Sequence, residues 1–275
     1  MKQSIIGLLL AVFFLQTTQS GAQTATAAGP DTVRYSMYAY MKVAPGKRDE
    51  YLKLEKAWKK IHLAQKKAGK LYDWSLAELV SPAGSNNEYD FVCRNTYIGR
   101  AALAESIDGN YMPDNWKSLL TPDEIALVNR TDEIRSMVKT EIWSTTDAVW
   151  APDADAKAKI FVWNYFALPE GKTRADHNKT ERDIWKPIHA ARVKDGTMKG
   201  WVLLDLEFPF GASMPYRQAT VDGYTSMSQL LAPWFEEYFK KVHPGKKIDD
   251  LMKQTDASCI LVKGEVRMMV DRLAW

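Results

Sequence analysis

WKKIHLAQKKAGKLYDWSLAELVSPAGSNNEYDFVCRNTY, from Trp58 to Tyr97, aligns without a gap with WKPIHAARVKDGTMKGWVLLDLEFPFGASMPYRQATVDGY, from Trp185 to Tyr224. At this offset of 127 positions 14 of 40 residues are identical, where average residue usage gives about two or three. The shared residues include Trp58/Trp185, His62/His189, Gly69/Gly196, Trp74/Trp201, Pro82/Pro209 and Tyr89/Tyr216. The match continues outward with small length changes, of the kind that loops absorb. Val43-Ala44-Pro45 answers Ala167-Leu168-Pro169, and Val138 to Ile142 answers Val262 to Val266 at an offset of 124. Both copies finish on a tryptophan, Trp150 and Trp275. The chain is therefore internally duplicated, with a first repeat over 31–150, an alanine-rich linker over 151–159 and a second repeat over 160–275.

The first residues have a different character. Lys2, the unbroken apolar run Ile5 to Leu15 and the small residues after it read as a signal peptide over 1–27, with cleavage after Ala22 or Ala27. That run is too short to cross a bilayer, which takes about 20 residues, so an exported protein, periplasmic or extracellular, is expected without membrane insertion. The formal net charge is +3 with both signs interspersed, which argues against a nucleic-acid partner. There are 2 cysteines, Cys93 and Cys259, too few for a disulfide scaffold, and their non-equivalent positions disfavour a bridge between them.

Within each copy the periodicity predicts strand, helix, strand, strand, helix, strand. Tyr35, Met37, Ala39, Met41 and Val43 alternate along a first strand. Leu54, Trp58, Ile61 and Ala68 then recur at helical spacing, with Gly69 or Gly196 to end the helix. A hairpin follows near residues 71–80 and 88–97, and a helical region broken near Pro113 and Pro122 leads to a fourth strand near 135–146 or 259–270. The expected fold class is α+β: two tandem ferredoxin-like βαββαβ repeats packed sheet to sheet as a pseudo-dimeric α/β barrel.

In element order and duplication the chain resembles the dimeric α/β-barrel superfamily, which includes small cofactor-independent monooxygenases, stress-responsive barrel proteins and haem-handling members. The resemblance implies a single-chain pseudo-dimer, monomeric or a homodimer, with one pocket per repeat. It leaves haem ligation by His62 or His189 open, but no cofactor is otherwise expected, and no His/Cys/Asp spacing suits a metal.

Some residue types recur where chemistry could sit. Trp58 with His62, and Trp185 with His189, share a helix face. Glu78 and Asp205 occupy equivalent positions on the second strand, on the face of Trp74 or Trp201. A buried carboxylate needs a partner, so His62 with Glu78 and His189 with Asp205 are candidate catalytic dyads, each imidazole a general base. Trp58, Trp74, Trp185 and Trp201 would wall the pockets, and Lys139, Glu141, Lys263 and Glu265 would add polar contacts on the fourth strands. A duplicated structural core and a surface ion-pair ladder would leave the same pattern. The leading expectation is an exported protein that binds a small apolar or aromatic molecule. The alternatives are a cofactor-independent monooxygenase- or isomerase-type enzyme using the dyad, and a structural or assembly module.

Overall fold

The computed structural model describes residues 31–273 apart from 85, 110, 111 and 212. The expected signal peptide with its cleavage points, and the terminal Trp275, lie outside the described residues. The described residues form eight strands: β1 (Arg34–Val43), β2 (Asp73–Ser81), β3 (Phe91–Ile98), β4 (Arg135–Trp150), β5 (Ile160–Ala167), β6 (Gly200–Phe208), β7 (Gln218–Tyr224) and β8 (Ile260–Arg272). They close into one antiparallel barrel in the order β1-β3-β2-β8-β5-β7-β6-β4, with the helices outside it.

This corrects the expected ferredoxin-like packing of one sheet against another. The strands of the two halves meet edge to edge, through hydrogen-bonded seams between β2 and β8 and between β4 and β6. Two sheets pressed face to face would leave four edges of unpaired backbone groups, and closure pairs them all. The fourth strands are long for this reason. β4 pairs with β1 through Arg135 to Ser144 and with β6 through Ile142 to Trp150, so it outruns the strand expected from periodicity. β8 does the same with β5 and β2. Moving four places around the closed order carries each strand onto its counterpart, so the halves are related by an approximate twofold rotation about the barrel axis.

Alternation along each strand separates two apolar regions. Outward residues such as Met41, Leu76, Phe91 and Ile142 pack under the helix Arg48–Lys67 with its buried Tyr51 and Leu54. Inward residues such as Tyr38, Tyr40, Trp143, Trp163 and Leu204 fill the barrel. An eight-stranded barrel is just wide enough for side chains to fill or to hold one small ligand.

Both main helices end as expected. Gly69 and Gly196 take positive φ angles of 72° and 76°, and the amides beyond them bond back to Gln65 and Arg192 in the pattern of a Schellman cap. The halves differ at one place in this helix. From cap to Trp58 the first copy runs straight, whereas the second carries a π-helical turn at Glu181–Trp185. That turn absorbs one extra residue, so the offset between copies is 126 at the helix starts, Lys47 and Thr173, and 127 from Trp58/Trp185 onward.

Cys93 and Cys259 are both free and buried. Among the described residues no helix is long and apolar enough to cross a membrane, and no group of His, Cys, Asp and Glu could hold a metal ion.

Candidate functional site

The sequence-derived candidates fall on opposite sides of the barrel wall. His62 and His189 lie outside it, between helix and strand, 3% and 5% exposed. His62 stacks between Trp58 and Trp74 at ring-centroid distances of 6.2 and 5.5 Å. His189 stacks between Trp185 and Trp201 at 6.1 and 5.7 Å. Burial keeps both rings neutral, lowering the His62 pKa to about 4 and that of His189, with help from the Arg192 charge, to about 3. Each Trp–His–Trp group is a stack in the packing between helix and strand, where the sequence suggests tryptophan walls around a pocket.

The structure does not bring the dyads together. His62 Nδ1 is 2.9 Å from Gln65 Oε1, while Glu78 accepts two bonds from Arg48, at 3.1 and 2.7 Å. Glu78 does face the helix, but it meets the start of that helix; His62 lies 14 residues further along, about 21 Å at the helical rise. Asp205 accepts from Gln218 Nε2 at 2.7 Å. Gln218 in turn meets His177, whose Nε2 is 3.1 Å from Glu181. Burial alone would lower the His177 pKa, but hydrogen bonds to Cys259 and Glu181 raise it to about 10. Sequence reading passed over His177 because the first copy has Tyr51 at the equivalent position. Nor are His62 and His189 placed to ligate haem: each ring is shut from solvent and covered on both faces, and neither lines the barrel cavity.

Lys139, Glu141, Lys263 and Glu265 point into the barrel and form a polar plug across one end. Glu141 accepts from the hydroxyls of Tyr40 (2.6 Å) and Tyr216 (2.5 Å) and from the Trp143 indole (3.1 Å). Glu265 accepts from the hydroxyls of Tyr89 and Tyr165 and from Arg267 Nη2 at 2.6 Å. Lys139 Nζ stands 3.4 Å from Glu141, and Lys263 Nζ 2.6 Å from Glu265. Burial would raise the Glu265 pKa, but Arg267 and Lys263 outweigh it and hold the carboxyl at about 2. These are satisfied buried charges, the arrangement that makes an interior network rigid.

Above this plug lies a cavity of about 390 Å³, within the range of small-molecule sites. Tyr38, Trp163 and Arg267, all buried, form its floor; the half-buried Tyr72 and the exposed Arg34 and Trp150 stand at its mouth, beside Ala151, Ala154 and Ala158 of the linker. Both halves contribute, so the barrel holds one shared cavity on its axis in place of one pocket per repeat. None of the twelve residues singled out from the sequence lines it. The matching strand registers show how the two sides have diverged. Ser36, Ser75 and Arg94 in the first half stand where Phe161, Val202 and Val221 stand in the second. At these three positions one side is polar and the other apolar. A shared core preserves its identities between copies, whereas a lining that has diverged leaves no repeat to notice.

No protein-family model and no curated protein matches the chain. Solved structures match at the level of fold. A candidate monooxygenase from Fusobacterium nucleatum aligns with a TM-score of 0.53 and 10% identity, over 88% of this chain and 94% of that one. An anthrone oxidase-like protein aligns with a TM-score of 0.51 and 10% identity, over 88% and 93%. The likeness is one of fold: the barrel with its outer helices is an architecture that this chain shares with these two solved structures.

Proposed function

We propose that this chain is an exported protein that binds one small, partly apolar or aromatic molecule in the shared barrel cavity. The observation that carries this is the cavity itself: about 390 Å³, with aromatic residues in its floor and with Ser36, Ser75 and Arg94 across from Phe161, Val202 and Val221. A filled barrel would have served a purely structural role equally well, and an empty space this size forgoes packing that a core normally makes. The amino-terminal apolar run supports export.

The names of the two neighbours, a candidate monooxygenase and an anthrone oxidase-like protein, favour oxidation of a bound aromatic molecule as a second reading. A histidine base would not perform it here, because His62 and His189 stand outside the barrel.

Native mass spectrometry of protein purified from its own host tests the first reading, together with tryptophan-fluorescence titration of 2-methylnaphthalene. Ala148→Trp, which fills the cavity from a half-buried wall position, should abolish both signals while the circular dichroism spectrum is kept. No retained organic mass and no response to any aromatic probe in the wild type would sink the reading.

A further inference from the structure

The floor of the cavity contains a donor that the protein leaves unused. Arg267 is 2% exposed, and its Nε and Nη2 make all of its bonds, to Glu265, Tyr89 and Tyr165. Nη1, with its two N–H groups, donates to no described residue, and Arg267 lines the cavity. Nη1 is not sealed into the packing but keeps access to the cavity, and a guanidinium N–H gains more from an acceptor than a neutral donor does. The group is also held in place: its Cζ lies over the Trp163 ring, 4.4 Å from the centroid, and the ion pair with Glu265 anchors Nη2. The first half has Trp143 at this position, so the floor offers a single such donor, displaced from the axis.

Resting on the binding reading above, we infer that the cavity takes an aromatic anion, a carboxylate, phenolate or enolate, that enters oxygen first. Its oxygen accepts from Arg267 Nη1. Its ring lies against the apolar wall of Phe161, Val202 and Val221, and Ser36 and Ser75 on the opposite wall meet any further polar substituent. A charge-assisted bond in a desolvated site discriminates far more strongly than apolar contact does. The ligand's charge, more than its outline, therefore sets its affinity.

The test compares two probes of similar shape, 2-naphthoate and 2-methylnaphthalene, by fluorescence titration of the whole chain. The wild type should bind the naphthoate at least about tenfold more tightly. Arg267→Gln should erase that preference, and Arg267→Lys should retain part of it. Equal affinities in the wild type would overturn this inference while leaving the binding reading intact; failure of both probes would overturn this inference and, where the purified protein also retains no organic mass, the binding reading with it. A preference that survives in Arg267→Gln would overturn the role of Arg267. If that variant does not fold, a crystal structure of the wild type with naphthoate decides. A carboxylate oxygen within hydrogen-bond distance of Nη1 supports the inference, and a carboxylate directed at the mouth overturns it.

Discussion

Trp143 and Arg267 occupy one position in the two halves of the barrel, and this difference decides how each interior glutamate is neutralised. Glu265 has ion pairs with both Lys263 and Arg267, whereas Lys139 is the only ion-pair partner of Glu141 among the described residues. Lys139→Met should therefore destabilise the protein by about 1 to 2 kcal/mol more than Lys263→Met, because it strands a buried carboxylate. Chemical denaturation of the two variants checks this. Equal losses would mean that the tyrosine hydroxyls and the Trp143 indole suffice to hold Glu141.

The stacked histidines should make stability fall in acid. In the unfolded chain each binds a proton near pH 6.5, but in the folded protein His62 does so only near pH 4 and His189 near pH 3. Their contribution is whole above pH 6.5 and is lost as the pH falls toward 4, by on the order of 3 kcal/mol for each. The stability gap between wild type and His62→Gln/His189→Gln should accordingly narrow between pH 7 and 4.5, measured by urea unfolding at each pH. A gap independent of pH would show that the rings remain protonatable in the fold.

His177 has the opposite sign. Its folded pKa, about 10, lies above the unfolded value, so the stability it adds is complete below pH 6.5 and fades as the pH rises toward 10. His177→Gln should cost most near neutrality, on the order of a few kcal/mol, and little at pH 10. Nuclear magnetic resonance titration of the imidazole would find it charged at pH 8.

Gly200 leaves room for the Trp150 indole at the cavity mouth. A Cβ there would stand 1.9 Å from Trp150 Cε3. Gly200→Ala should push the indole aside at a cost of about 1 to 3 kcal/mol, and a bound aromatic probe should leave several times faster. Stopped-flow release from wild type and variant would show this, and unchanged release would remove Trp150 from the entry path.

Much of the local structure was legible in the residues. Period-two alternation in Tyr35 to Val43 and the helical spacing of Leu54, Trp58 and Ile61 located elements to within a few residues, and the repeated Trp and His marked residues that lie together, though as a packed stack and not as the walls of a pocket. Closure was not legible, because alternation tells which residues share a face without telling which strand will be the neighbour. For the same reason Glu78 looked like a partner for His62: both lie between helix and sheet, yet at opposite ends of the helix, and Arg48 reaches the carboxylate first. Arg267 was hidden because comparing the repeats rewards sameness, and its importance lies in differing from Trp143.

The approximate twofold axis that runs through the cavity has a thermodynamic consequence. Were the two halves identical, an unsymmetrical guest on that axis would have two poses of equal energy, related by a half turn, and no chemistry could be aimed at one edge of the guest in particular. With Ser36, Ser75 and Arg94 facing Phe161, Val202 and Val221, the half turn exchanges unlike walls. Joining both halves in one chain, where each can mutate alone, is what would let this barrel tell the front of the proposed guest from its back.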